Sequence, residues 1–436
     1  MRYRYTRRAF AQRLCALFLI LWTVSSAFAQ PVSDDDELLF LPSILAKRAA
    51  STPSSVSLCR GFTVNDKQNR PMRSMLKPSA GASYVDAVFG STITRISDSS
   101  QISSGIIKTL YSTIQAWNAD ESLMILWHRG AGHYLYDGQN YRLLSQLPVS
   151  PVDIEELFWS TSNPDLVYYP NGAIGQTVST AQGPYRLKGN ELMSYNVASQ
   201  QHSVIKDFNA VCPGADAVTA GGDVQMMSYD DDVFGLRCGT KAFSYQRSND
   251  TITLLPIAAG GNAPSVFPSG KLFYHQGHVL NQQLAAVRSF DLASANEHSS
   301  VGRLANGNDA STGQCRVLVG QANGYPYTLS GTHISALAHQ RPGWAAVSSV
   351  GYGDEGDTAL EQELYLVNSD PNQAEVCRIA HHRSAARYGL VGYFAEPHPV
   401  LSRSGTRVLF NSDWNNSGSV DVYVVELAGY KSRKKN

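Results

Sequence analysis

Two histidines, with the carboxylates and amide near them, are the residues of this chain whose types best suit chemistry. His398 stands in YFAEPHPVLSRSGTRVLFNSDW, between Pro397 and Pro399 and two residues past Glu396. His333 stands in GTHIS, Glu156 in DIEELF and Gln115 in TIQAW. Imidazole nitrogens with a carboxylate oxygen form a donor set for a divalent metal ion such as manganese, and polar groups of this kind around one channel also suit a bound ligand. His333 and His398 are therefore candidate metal ligands, and Gln115, Glu156, His333, Glu396 and His398 are candidate channel residues. A plainer reading stands beside this one. A histidine flanked by prolines also serves as a hydrogen-bonding corner between strands, and polar channel residues can simply be solvated. No residue presents itself as a catalytic nucleophile, and the sequence has no GxSxG elbow, P-loop or HExxH. Asp230-Asp231-Asp232 lacks the spacing and distal Glu of a calcium loop and reads as a polar turn. His381-His382-Arg383 reads as a surface turn, and Trp127-His128-Arg129 as a core Trp with solvated neighbours.

These residues must be positioned by a repeated unit. IQAWNADESLMILWHR, ELFWSTSNPDLVYYPNG, APSVFPSGKLFYHQG and EPHPVLSRSGTRVLFNSDW each run a strand into a polar turn and then into an apolar strand. The turns NADES, SNPD, PSG and SRSG carry the residues tight turns favour, and LMIL, LVYY, KLFY and RVLF read as buried strands. Weaker copies are VQMMSYDDDVFGLRC and THISALAHQRPGWAAVS. Units of about 40 residues with three or four strands each are the signature of a β-propeller, whose blades bury their faces against one another. The expected fold is all-β: a propeller of six or seven blades of four-stranded antiparallel sheets. Blades begin near residues 111, 153, 219, 262, 330 and 393, and 300–330 is the place for a seventh. The strand at 91–97 is expected to pair with the last strand, 420–427, and close the ring. A pair of β-sandwiches is the alternative architecture. Aligning the turns sets Gly405 against Gly270 and Glu121, Leu401 against Trp117 and Trp159, and His398 against Glu156. A less regular match sets His333 against His398.

The ends of the chain bound where such a propeller works. Residues 1–29 have a basic stretch, a short apolar core LCALFLILWTV and an Ala-Phe-Ala cleavage site, the pattern of a signal peptide. Export to the periplasm or outside the cell is expected, with no membrane span after cleavage. Arg2, Arg4, Arg7, Arg8 and Arg13 leave with that segment, so of 36 basic and 36 acidic residues the mature chain keeps 31 and 36. An acidic balance without clustered Lys and Arg excludes nucleic acid as a partner. Residues 30–83 read as an N-terminal tether and irregular segment, 84–428 as the propeller and 429–436 as a basic tail. Export permits disulfides. Cys212 with Cys238 and Cys315 with Cys377 are the expected pairs, leaving Cys59 free.

The turn-and-strand stretches SRSGTRVLF and NADESLMIL resemble those of bacterial propellers of two kinds, the periplasmic protein of the Tol system and the oligogalacturonate lyases. The resemblance spans most of 84–427 and implies fold. The lyase resemblance also implies a manganese ion held by histidines and a glutamine, and cleavage of acidic sugars by proton abstraction. On AEPHPVL, Glu396 stands near the family's glutamine, His398 on a histidine, and Val400 where a further histidine is expected. His333 matches a ligand from another blade. The sequence reading is an exported, monomeric propeller that binds an envelope protein, peptide or glycan as a binding or scaffold module. The alternative is a metal-assisted carbohydrate lyase or hydrolase with its site at the channel.

Overall fold

A computed structural model describes residues 57–427 apart from 215–216, 222–224, 258–260, 277, 285, 290–318, 320–323, 326–332, 350–357, 369–374 and 387–391. The expectations for the signal peptide, the segment 30–56, the basic tail, Cys315 and nearly all of the stretch proposed for a seventh blade lie outside the described residues.

The apolar strands form where the sequence places them. Leu123–His128, Leu166–Pro170, Phe273–His275, Trp344–Ser349 and Arg407–Ser412 lie inside five of six sheets, the blades of a six-bladed propeller, and Val233–Cys238 is the first strand of the remaining sheet. Blade 1 runs from Ile107 to Gln146, blade 2 from Phe158 to Asp207, blade 3 from Val233 to Pro256, blade 4 from Ser265 to Ser289 and blade 5 from His333 to His381. Blade 6 combines Val400–Leu401, Arg407–Ser412 and Asp421–Glu426 with two strands from near the other end of the described chain, Thr92–Arg95 and Ser83–Val85. Thr92–Arg95 lies antiparallel to Asp421–Glu426, with Thr92 opposite Glu426.

The sheets are less uniform than four strands each. Among the described residues they hold from three to six strands. Blade 2 gains a hairpin, Ile174–Thr180 with Gly183–Lys188, beside its last strand. Blade 3 keeps three strands, with the chain before it joined only by single bridges from Thr219 and Met227.

The turn that enters the first long strand is shared among blades. Gly405, Gly270, Glu121 and Asp231 take φ of +69°, +67°, +60° and +59°. A left-handed residue costs a glycine nothing and another residue about 1–3 kcal/mol. Glu121 is held there from blade 6: the Ser404 N–H donates to Oε1 at 2.7 Å and Arg407 to Oε2 at 2.7 Å. Such charge-assisted bonds offset the backbone cost. Trp117 lies just before this turn, fully buried, with its indole N–H on the Gly138 carbonyl at 3.2 Å and the Arg407 guanidinium over its ring at 4.7 Å.

Two sequence expectations are corrected by one segment. Cys377 pairs with Cys59, at a Cα–Cα distance of 5.6 Å, rather than with Cys315, so Cys59 is not free; Cys212 pairs with Cys238. The reason is that residues 57–78 run along the edge strand of blade 5, Val376–His381, and on to blade 6. Asn65 N–H donates to Val376 O at 2.7 Å, and Val64 bridges Cys377. Further on, Arg378 donates to Gln68 O, Arg383 to Arg73 O and Trp414 to Met75 O. The segment covers an edge that would otherwise present unpaired backbone groups. It also covers His381 and Arg383, and with His382 buried on the other side the three are no surface turn. Strand alternation turns His381 toward Arg70 O, and His382 toward Ser349 O at 2.8 Å.

The packing gives two expected outcomes. Trp117→Ala should cost about 3–5 kcal/mol in urea unfolding, the range for emptying a large aromatic from a core; a loss below about 1 kcal/mol would contradict its place there. His382 accepts the Ser384 N–H on Nδ1 and donates from Nε2, and burial holds its pKa down at about 3. The unfolded chain binds that proton near pH 6.5. The stability tied to a neutral His382 is thus complete above pH 6.5 and is lost as pH falls toward about 3. The urea midpoint should fall from pH 7 to pH 4.5 with a shallower slope in His382→Asn; equal slopes would contradict the assignment.

Candidate functional site

His333 begins the first strand of blade 5, opposite Ser348. His398 was expected on the innermost strand of blade 6 but lies just ahead of it, since that strand starts at Val400. Its φ is +38°, a left-handed backbone that a non-glycine residue before a proline rarely adopts. Glu396 follows the short helix Gly392–Ala395. This turn, rather than strand alternation, aims the two side chains.

The three meet. One ligand atom from each of His333, Glu396 and His398 lies within 4.8 Å of the others. The His333 and His398 rings are 4.0 Å apart, and Glu396 Oε2 is 3.5 Å from His333 Nε2 and 3.6 Å from His398 Nε2. His398 is fully buried, and neither of its ring nitrogens has a hydrogen-bond partner; His333 Nδ1 has none either. Tyr111 lays its ring against both, at 4.6 Å from His398 and 5.4 Å from His333.

Burial keeps these imidazoles neutral. It pushes His333 down to about 4 and His398 well below the usual histidine range, and the Lys108 ammonium adds to both shifts. Neutral imidazole is the form that ligates a metal. Lys108 is itself fully buried, bonded to Leu110 O at 2.8 Å, 3.4 Å from Glu155 and 5.7 Å from the Tyr393 ring centre. Burial lowers its pKa while Glu155 raises it. Sequence reasoning passed over Lys108; the signal was a lysine within the apolar stretch IIKTL. Tyr111, Tyr393 and Glu155 carried no such signal.

The other two candidates are placed elsewhere. Gln115 spends its amide on Leu337 O and Leu401 O and its carbonyl on Trp117 N–H, the bonds of an inter-blade tie. Glu156 is buried and turns to blade 3, accepting from Thr219 Oγ1 and, at 2.9 Å, from Gly221 N–H. It lines a cavity of about 300 Å³ with Tyr111, Thr113, Asp153, Glu155, Phe158 and Arg237 among its walls. The cavity and the histidine cluster therefore share Tyr111 and, through the Tyr393–Glu155 bond of 3.2 Å, a second wall.

The donor set suits a divalent ion, with two imidazoles, one carboxylate and buried nitrogens lacking any other partner. It departs from the lyase pattern at Val400, which is fully buried against Trp117, Leu409 and Val422. That position belongs to the core and offers no donor.

No family model and no curated protein matches the sequence. Solved structures do match in shape. An oligogalacturonate lyase in complex with manganese superposes with a TM-score of 0.54 at 15% identity, covering 80% of this chain and 96% of that one. The oligogalacturonate lyase of Vibrio parahaemolyticus does so at 0.54 and 12%, covering 79% and 96%. A TolB-like protein from Agrobacterium tumefaciens gives 0.29 and 10%, covering 55% and 69%. At such identities the likeness is one of fold. Among the described residues, no helix is long and apolar enough to cross a membrane.

Burial does most to hold His333 down and Lys108 adds to it, so Lys108→Met should move the His333 pKa up from about 4, part of the way toward the ordinary value of roughly 6.5, in the metal-free protein, read by NMR titration. An unchanged pKa would mean that desolvation alone sets it.

Proposed function

We propose that this chain is an exported propeller that binds a divalent cation through His333, Glu396 and His398 and uses the cation's open positions to hold a ligand at that end of the molecule. The observation that carries the reading is the fully buried His398, both ring nitrogens unpartnered, beside a second neutral histidine and a carboxylate. Leaving buried polar atoms unsatisfied costs about 1–3 kcal/mol each, a cost that a bound ion would remove. Three protein ligands leave positions to which a peptide or glycan oxygen can bind. Two disulfides accord with export.

A second reading, a metal-assisted lyase acting on acidic sugars, is favoured by one further observation. Lys108, a buried amine with a lowered pKa, lies beside the histidines, and a lysine so placed is suited to taking a proton. The cation would supply polarisation of a bound carboxylate. This chain's residues would hold the sugar and keep water out.

Elemental analysis after equilibration with Mn²⁺ should give about one ion per chain, and His398→Ala and Glu396→Gln should each weaken binding at least about tenfold by titration calorimetry. Protein without stoichiometric metal, or variants that bind as the parent does, would sink the reading. The lyase reading predicts new ultraviolet absorbance from an unsaturated sugar when metal-loaded protein meets oligogalacturonates, with Lys108→Met inactive. No absorbance change would leave binding alone.

A further inference from the structure

The cavity between blades 1, 2 and 3 holds buried polar atoms that the fold itself leaves unanswered. Among the described residues, Glu156 Oε2, Thr113 Oγ1 and Arg237 Nε are each buried and without a hydrogen-bond partner, and all three residues line it. Glu156 is only 4% exposed. Its other oxygen is fixed by Thr219 and Gly221, so the carboxylate cannot swing away. Gly221 sits between the acid and the base. Its N–H bonds Glu156, its φ is +68°, and a Cβ there would lie 3.0 Å from Arg237 Nε. Glycine at this point leaves that donor open.

One acceptor, one donor and one hydroxyl around a space with Tyr111 and Phe158 in its walls match a particular chemistry. A sugar hydroxyl both donates and accepts, so neighbouring hydroxyls of one ring can answer a carboxylate and a guanidinium together. The aromatic faces suit the ring's C–H surface. A volume of about 300 Å³ is at the small end of small-molecule sites, room for a short ligand rather than a chain segment. Charge narrows the class. Asp153 and Glu156 line the cavity against the single Arg237, while Glu155 is matched by Lys108. A uronate ring would bring a further negative charge into this excess.

We infer that this cavity is a subsite for a neutral sugar unit, recognised through Thr113, Glu156 and Arg237. It rests on the binding reading above and deepens it: because Tyr111 borders both cavity and histidine cluster, a glycan held at the cation would place a neighbouring neutral unit here.

The test is titration calorimetry of chelator-treated protein, so that the cation site plays no part. The probes are maltotriose, cellotriose, mannotriose and galactotriose, with digalacturonate beside them. At least one neutral trisaccharide should bind, and more tightly than digalacturonate. Thr113→Val removes only the hydroxyl and Arg237→Leu a side chain whose Nε has no partner among the described residues, so both should fold as the parent does, checked by thermal melting. Each should weaken binding, by about tenfold for Arg237→Leu. The inference is overturned if no neutral trisaccharide binds, if both variants bind like the parent, or if digalacturonate is preferred. Parent protein that binds a neutral trisaccharide but takes up no stoichiometric Mn²⁺ would refute the cation reading alone, and parent protein that takes up Mn²⁺ but binds no neutral trisaccharide would refute the subsite alone.

Discussion

The arrangement depends on a buried guanidinium. Arg403, in the turn that opens blade 6, donates from Nε to Trp117 O in blade 1 and from one terminal nitrogen to Ser160 O in blade 2, each at 3.2 Å; its other terminal nitrogen lies 2.7 Å from Nδ1 of His339, near the start of blade 5. The side chain is 2% exposed, and although burial draws its pKa down to about 10, it stays charged at neutral pH. A planar group with five donors is the one side chain that can fix three strand ends at once. Around it the turns bond to one another. Asn118 reaches Pro164 O, Asp231 accepts from Ser160 and Thr161, and Tyr229 N–H reaches Pro268 O. Removing a buried charge from such a network leaves several carbonyls unsatisfied, a larger loss than any single bond.

That constraint divides the polar groups of the propeller into two kinds. At the turns, nearly every buried donor named above has an acceptor, and the bonds run between blades. At the histidine cluster the reverse holds. His398 is equally buried, yet its nitrogens meet only a carboxylate beyond hydrogen-bonding range and the faces of Tyr111 and His333. The three unanswered ring nitrogens stand together in one cluster, and buried unmet capacity is where ligands gain most.

Much of this was legible in the sequence, for a definite reason. A tight turn needs a left-handed residue at one position, so Gly405, Gly270 and Glu121 could be aligned on their turns before any strand was known, and a separate, less regular match of GTHIS to EPHPV set His333 opposite His398. Apolar strands such as RVLF announced themselves by type. What could not be read was whatever depends on long-range covering. Nothing in the spacing of Cys59 says that residues 57–78 would run along blade 5, so the Cys59–Cys377 pair and the covering of His381 and Arg383 were invisible. The direction of the Glu156 side chain was hidden for a related reason. The alignment gave its place ahead of the turn, but the side chain follows Thr219 and Gly221 of the next blade, and a register carries no information about a neighbour's loop.

The strained backbone at His398 bears on how the cluster is kept. A left-handed residue between two prolines is held by what surrounds it: Asn411 N–H bonds Pro397 O at 2.7 Å, and Asn411 Nδ2 reaches Glu396 O and Thr109 Oγ1. These bonds tie the turn to the second strand of blade 6 and to blade 1, so it has no freedom to relax by rotation. The prolines remove the N–H of residue 399 and narrow the dihedrals of both neighbours, which lowers the entropy the unfolded chain would regain. Val400, packed in the core one residue further on, fixes where the strand begins. Rigid strand on one side and pinned turn on the other leave the imidazole a single direction, toward His333 and Glu396. A side chain that needed only burial could have reached it on an ordinary strand; the departure from that backbone is what points the ring at its neighbours.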